Sequence, residues 1–354
     1  MSYTISEKES KLLNIIKLFS IILILYIHSF SSIEYTFESN NIMFNTIQLI
    51  EYVITQVIAR AGVPLFFLIS SILLYGKDFT FEENLKKKIK RILIPYIICN
   101  SIWILIFYVF QNFDIFSKFF TNNENTIKSW NAFNWIDAYI PIFYRTKPFV
   151  YPLWFLKDLF ILNLFAKIIK MLIDRIPKAF LAFLIIMWLL NINLMIIEIQ
   201  SLLFFSLGYY IVKYNIRFKK VDKINVIVFS VLYFLLAFGI AYVEISGKKL
   251  AFIHNSFIII SMLYVYIIAS KCIKMAENKT GMILIRNSYF IYLFHEWNLL
   301  FVKKILDKLI GNNYIIDLIK YCFLPIIIII LCLIISETWK RINKKTYQIV
   351  TGEW

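Results

Sequence analysis

Long apolar stretches separated by short charged segments dominate this 354-residue sequence. A stretch of about 20 apolar residues is long enough to cross a bilayer as an α-helix, whereas a membrane β-barrel shows alternating residues. We therefore predict an all-α integral membrane protein, a bundle of about ten transmembrane helices. The predicted spans are 13–33, 47–75, 91–112, 151–173, 178–197, 199–213, 224–244, 250–271, 283–302 and 314–336.

The composition agrees with a membrane protein, since 60% of the residues are hydrophobic and the mean hydropathy is +0.72. Both values lie outside the range of soluble domains. The pattern predicts a single membrane domain over 1–354, without a soluble appendage. The first apolar run starts late and lacks a small-residue cleavage site, so we expect no cleavable signal peptide.

The net charge of +16 is unevenly distributed. Basic residues gather in segments 77–91, 213–223 and 340–345, whereas the connections 34–46 and 191–200 contain no Lys or Arg. By the positive-inside rule, this distribution puts both termini in the cytoplasm. The positive charge is thus explained by basic loops on the cytoplasmic side of a membrane, near anionic lipid, and we expect no nucleic-acid partner.

Motifs for metal, dinucleotide and phosphate-loop chemistry do not occur in the sequence, which has no CxxC, HExxH or GxGxxG. We therefore predict no metal site and no permanently bound cofactor. The four cysteines lie in or beside apolar spans and are most simply packing residues. The long connection 113–150 is polar first and aromatic later; it is predicted to form an interfacial aromatic belt or a lid over an outward-facing cavity.

Several ionisable residues lie inside predicted spans, where each costs about 2.5 to 3.5 kcal/mol on insertion scales. Counting along the helices from a cytoplasmic N-terminus places a set of them at similar mid-to-outer depth: His28, Arg60, Lys157, Asp158, His295 and Glu296. They could pair as polar contacts between helices. They could also form a site in which a histidine, with its ordinary pKa near 6.5, moves a proton.

Lys17 and His28 begin and end the apolar run "KLFSIILILYIH". Their spacing is close to three helical turns, so both lie on nearly the same face, roughly 16 Å apart along the axis. His28 is a candidate base, and Lys17 could hold an anion near the cytoplasmic boundary. A ligand with a phosphorylated head and a long thin reactive arm would match this geometry.

Six segments in order along the chain resemble the motifs of the acyltransferase 3 family, the ten-span membrane acyltransferases of bacterial surface carbohydrates. Lys17 and His28 match its basic residue and histidine in the first helix. The other segments are "RAGVPLFFLISSILL" (60–74), "KIKRILIPY" (88–96), "YPLWFLKDLFIL" (151–162), "FFSLGYYI" (204–211) and "NSYFIYLFH" (287–295). The similarity covers nearly the whole chain.

The resemblance implies transfer of an acyl group, most often acetyl from cytoplasmic acetyl-CoA, to a hydroxyl of a surface or lipid-linked carbohydrate. It implies that His28 is the catalytic histidine, and that the CoA phosphates are bound by Lys17, Lys88 and Arg91. His295 and Arg60 are predicted to stabilise the oxyanion or orient the acceptor. The predicted substrate-binding residues are Trp154, Lys157, Asp158, Tyr292 and Glu296.

The sequence departs from the family pattern at three positions. Ser71 stands where Gly is usual, and tight helix packing is still expected there because Ser is small. Lys17 and Lys88 replace arginines, which keeps the charge but loses bidentate phosphate binding. The acceptor, the size of the acyl group, direct transfer versus an acyl-enzyme, and the oligomeric state stay open.

Two other functions remain in competition with acyl transfer. A proton-coupled transporter of a glycan precursor or small solute would use the ionisable layer as a relay, although no internal repeat typical of many transporters is visible. A non-catalytic subunit of a polysaccharide synthesis complex would need His28 for assembly alone.

Overall fold

The computed structural model describes residues 3–29, 35–38, 41–77, 80–113, 126–192, 194, 196–217, 224–248, 251–311 and 313–353. Every regular element in these ranges is a helix, which confirms the all-α class. Within the same ranges, six helices are long and apolar enough to cross a membrane: Glu7–His28, Ile42–Tyr75, Phe81–Phe110, Val226–Ile245, Ala251–Lys271 and Tyr314–Ile342. The ten-span count and the cytoplasmic termini stay predictions.

The α-helices are, in chain order, α1 (Glu7–His28), α2 (Ile42–Tyr52), α3 (Gly62–Tyr75), α4 (Phe81–Lys88), α5 (Ile94–Phe110), α6 (Ala132–Asp137), α7 (Trp154–Leu164), α8 (Ala166–Arg175), α9 (Pro177–Leu189), α10 (Ile199–Lys213), α11 (Val226–Ile245), α12 (Ala251–Lys271), α13 (Lys279–Ile310), α14 (Tyr314–Ile342) and α15 (Lys344–Thr351). A π-helical segment (Val53–Ile58) and a 3-10 turn (Ala59–Ala61) join α2 to α3. A second π-helical segment (Ile89–Leu93) joins α4 to α5.

The chain divides into two compact units. The first comprises 1–79, 165–194 and 198–336, and the second comprises 80–164, 195–197 and 337–354. A single domain over 1–354 stays a prediction.

The predicted span over 151–173 differs most from the structure, because α7 ends at Leu164 and α8 begins at Ala166. Phe165 between them has a non-helical backbone, with φ −89° and ψ 9°. Helix α8 does not continue the apolar span of α7, because it contains charged residues; Lys170 pairs with Asp174 at 2.6 Å. Of the first predicted span, residues 30–33 lie outside the described ranges.

Close helix packing in the first unit depends on two glycines. α1 packs against α3, and α3 packs against α10. A Cβ on Gly62 would lie 2.9 Å from the Ser20 carbonyl oxygen, and a Cβ on Gly208 would lie 2.5 Å from the Ser71 Cβ. Only glycine allows backbones to approach this closely, so the expected tight packing at Ser71 is found.

In the second unit, the short helix α15 packs against α5. α15 ends at Gly352, which adopts φ +66°, a left-handed conformation that favours glycine. A Cβ on Gly352 would also come within 2.7 Å of the Arg91 Cα. This contact holds the end of the chain against the π-helical segment that carries Arg91.

Candidate active site

Helices α1 and α13 of the first unit pack together and bring His28 close to His295 and Glu296. The His28 Nδ1 lies 3.1 Å from the Glu296 Oε2, and both side chains are largely buried, with 13% and 14% of their surface exposed. The ring centroids of His28 and His295 are 5.3 Å apart. A carboxylate beside Nδ1 favours the tautomer with its proton there, which leaves a lone pair on Nε2.

His295 is fully buried and its orientation is fixed by its own helix. Its Nδ1 lies 2.7 Å from the Tyr292 carbonyl oxygen, so this nitrogen carries the ring proton and donates a hydrogen bond to that carbonyl. Nε2 is then an acceptor, and no described residue gives it a hydrogen bond. Because an unsatisfied buried acceptor is costly, this atom is well suited to receive a hydrogen bond from a ligand.

Among the described residues, His28, His295 and Glu296 form one group that could hold a metal ion. One ligand atom from each of His28, His295 and Glu296 lies within 4.8 Å of the others. Two imidazoles and a carboxylate form the protein part of some catalytic zinc sites. The 3.1 Å contact between His28 and Glu296 needs no ion, however, so the predicted lack of a metal site stays a prediction.

Arg60 lies where the helix between α2 and α3 is irregular. Pro64 has no N–H that could donate a hydrogen bond to the Arg60 carbonyl, four residues earlier. The turn before Arg60 is a wide π-helical turn, because the Ala59 N–H donates to the Ile54 carbonyl, five residues earlier. Such π-helical turns are frequent at functional sites. The Arg60 guanidinium donates to Gln56 and is near enough to act electrostatically on His28.

Lys17 lies on α1, about three turns before His28. It is half-buried, and within the described ranges no hydrogen bond or ion pair satisfies its ammonium group. A cation in this setting is suited to an anionic ligand.

The remaining predicted residues belong to the second unit. Lys88 ends α4, and Arg91 lies in the π-helical segment after it. The Lys157 Nζ is 3.2 Å from the fully buried Asp158 Oδ1 and donates to the Ile196 carbonyl at 2.6 Å. Lys157 and Asp158 therefore form a polar pair within one helix, and their predicted role in substrate binding stays a prediction.

Trp154 begins α7, and its ring has the Lys147 Nζ 4.2 Å from its centroid. An aromatic ring with a cation over its face is a common way to hold a positive charge. This contact occupies one face of the ring, so a substrate would have to meet Trp154 at its edge or other face.

The aromatic connection before α7 is held by Asp137 at the end of α6. Its buried carboxylate accepts backbone N–H groups of Ile142 (2.7 Å), Phe143 (2.8 Å), Tyr144 and Arg145 (2.9 Å). Burial alone would raise the pKa of Asp137, but these four hydrogen bonds outweigh it and lower the pKa below its usual value of 3.8. Exposed aromatic residues surround this turn: Phe133, Trp135, Phe143, Tyr144 and Tyr151. Residues 114–125 of the connection lie outside the described ranges.

The comparison with protein families decides the class. Residues 11–337 match the family described as "acyltransferase domain". The chain belongs to the acyltransferase 3 family. The match includes both histidines of the cluster, Glu296 and all the basic residues assigned to the donor.

One curated protein similar to this chain is "Succinoglycan biosynthesis protein ExoH" of Rhizobium meliloti (strain 1021). The two are 26% identical over 168 residues, which is 46% of this chain and 44% of that protein. This chain thus spans less than half the length of the relative. No solved structure matches the acyltransferase.

A second polar cluster in the first unit was missed by the sequence reasoning. The described part of α2 and its π-helical extension buries Gln48, Glu51 and Thr55, and the Thr55 Oγ1 is 2.8 Å from the Tyr321 hydroxyl. Lys303 interacts electrostatically with Glu51. The signal was available, since residues 48, 51 and 55 recur at helical spacing inside an apolar stretch.

Proposed function

We propose that this acyltransferase is a multi-pass O-acyltransferase of the bacterial inner membrane. It moves an acyl group, most often acetyl, from cytoplasmic acyl-CoA to a hydroxyl of a surface or lipid-linked carbohydrate. The observation that carries the proposal is the His28–Glu296 contact of 3.1 Å, buried between α1 and α13, in a chain whose family is that of acyltransferases.

His28 acts as the general base in this proposal. With its proton on Nδ1 beside Glu296, the imidazole uses Nε2 to take the proton from the acceptor hydroxyl as that oxygen attacks the thioester carbonyl. The tetrahedral intermediate collapses, the carbon–sulfur bond breaks, and the thiolate of CoA takes the proton from Nε2. The products are the carbohydrate ester and free CoA, and His28 returns to its starting state.

Glu296 is a positioning residue here, because it acts through His28. His295 presents an unsatisfied acceptor at Nε2, which suits a hydrogen bond from a neighbouring hydroxyl of the carbohydrate, because the reacting hydroxyl gives its one proton to His28. Arg60 is the cation whose charge reaches this cluster, and it is proposed to stabilise the negative charge on the thioester oxygen. Tyr292 orients His295 through its carbonyl oxygen.

The donor is bound through its phosphates in this proposal. Lys17, without a described partner of its own, and the pair Lys88 and Arg91 supply the positive charge. The carbohydrate acceptor is supported by the printed name of the relative, a succinoglycan biosynthesis protein. Trp154 is proposed to contact the acceptor, whereas the Lys157–Asp158 pair supports the helix that carries it.

The experiment compares two histidine variants in membranes or in detergent. His28→Ala should reduce acyl transfer from radiolabelled acetyl-CoA by about 10² to 10⁴, the usual loss for a general base. His254→Ala is the matched control, because His254 also pairs with an acid, Glu244, at 3.0 Å, but lies outside the cluster. Near-normal transfer by folded His28→Ala protein would remove His28 from the mechanism.

A further inference from the structure

A large apolar cavity lies in the first unit, among helices α1, α3, α10 and α12. Its volume is about 390 Å³. Its walls are mostly aliphatic, with Ile16 from α1, Leu68 from α3 and Leu207 from α10, and they also include Met262 and the rings of Phe204 and Tyr266. None of the catalytic candidates lines this cavity.

The size and the apolar lining of this cavity suit an apolar ligand. An apolar pocket binds apolar ligands in preference to water. The volume falls in the range of ligand pockets, about 300 to 1,000 Å³. The lining therefore selects a hydrocarbon group.

One edge of the cavity is polar, and it lies at the start of α1. Tyr3, Glu9 and Arg217 line this edge. The Arg217 guanidinium pairs with Glu9, donates to the Thr4 carbonyl at 3.0 Å and lies 4.0 Å from the Tyr3 ring centroid. Glu9 and Ile16 both line the cavity, so the walls extend about 10 Å along α1 from this edge.

Arg217 retains hydrogen-bonding capacity at this edge. A guanidinium has five N–H donors, and the described residues accept three bonds from it, at Glu9, Thr4 and Asn215. The remaining donors suit a phosphate oxygen, because arginine and phosphate form strong charge-assisted hydrogen bonds. The cavity thus combines apolar walls with a phosphate-binding edge.

We propose that this cavity binds one hydrocarbon tail of a membrane phospholipid, whose phosphate lies at the edge formed by Tyr3 and Arg217. A hydrocarbon chain that ends in a phosphate could also come from a long-chain acyl-CoA. The phospholipid is favoured because the bilayer around the protein supplies it continuously, and the carboxylate of Glu9 leaves little excess positive charge for the several phosphates of CoA. This site goes beyond the proposed transfer reaction and does not depend on it.

The test uses a phosphatidylglycerol with a photoreactive diazirine near the end of one tail, incorporated into nanodiscs with the full chain. Crosslinks mapped by mass spectrometry should fall on Leu68, Leu207 or Met262. Crosslinks confined to lipid-exposed residues such as Leu235, which is 65% exposed, would overturn the proposal. This readout needs no substitution.

Variants that fill the cavity provide the second readout. Leu68→Trp and Met262→Trp should each lower cavity crosslinking at least tenfold, whereas Leu235→Trp, the same change on an exposed face, should leave it unchanged. Unlabelled phosphatidylglycerol should compete with the probe. Undiminished crosslinking in both filled variants, or competition by palmitoyl-CoA alone, contradicts the phospholipid assignment.

Discussion

Replacement of Glu296 by glutamine replaces the carboxyl group beside His28 by an amide while keeping the shape of the side chain. The Nδ1–Oε2 contact of 3.1 Å joins two largely buried groups. In the free protein the Glu296 Oε2 accepts no hydrogen bond from the described residues, but catalytic contacts of this kind tighten in the transition-state complex, where a hydrogen bond to a charged partner contributes about 1.5 to 3 kcal/mol. If that contribution is made in the transition state, the rate falls about 10- to 150-fold, since about 1.4 kcal/mol corresponds to a factor of ten.

The assay measures kcat and KM for acetyl-CoA with purified protein. Glu296→Gln should lower kcat and leave the KM for the donor unchanged, because Glu296 acts on the orientation of His28 and not on CoA. Glu296→Asp should restore part of the rate, since the charge is kept at a slightly greater distance. Glu244→Gln is the matched control, as it changes the acid of the other described His–Glu pair. A kcat unchanged in folded Glu296→Gln protein refutes the positioning role.

Three further predictions follow from individual contacts. Lys88→Gln should raise the KM for acetyl-CoA by about tenfold, as expected for loss of one charge-assisted contact, with kcat nearly unchanged; an unaltered KM would exclude Lys88 from donor binding. Asp137→Asn should weaken the turn at Ile142–Arg145 by about 1 to 3 kcal/mol, measured by hydrogen exchange. Because the Asp137 pKa is lowered, the wild-type turn should stay protected from exchange at pH 5. It should lose this protection only as the pH falls below about 3.9. Gly208→Ala should cost about 1 to 3 kcal/mol through overpacking, read as a lower Tm, and Ser71→Gly should recover part of that loss.

Much of the helical architecture could be predicted from the sequence, because the length and hydropathy of an apolar stretch identify a membrane helix. Helix α10 begins and ends at the residues predicted, 199 and 213. The break at Phe165 could not be predicted in the same way. Aliphatic residues continue across it, and the backbone conformation of Phe165 depends on packing that hydropathy does not record.

The sequence predicted the height of the candidate site residues along their helices, but it did not predict which side chains face one another. Counting residues along helices gives the height of a side chain in the membrane, so His28 and His295 could be assigned to one layer. The rotation of one helix relative to another is set by packing. For that reason the sequence could not reveal that Glu296, predicted to bind substrate, faces His28.

The pairing of buried polar groups separates structural contacts from chemical ones. Each ionisable residue in a membrane is costly, and several described examples meet an opposite charge: Lys157 meets Asp158, and Lys320 meets Asp307 and Asp317 at 2.5 and 2.7 Å. Such pairs neutralise their own charges without a ligand.

Lys17 and the Nε2 of His295 differ, because the described residues leave each without a partner. The two lie in the same unit, on helices α1 and α13, which pack together. An anion would complete the first and a hydroxyl would complete the second. A phosphorylated acyl donor and a carbohydrate acceptor supply these two groups, so Lys17 and the His295 Nε2 agree with the two substrates of the proposed reaction.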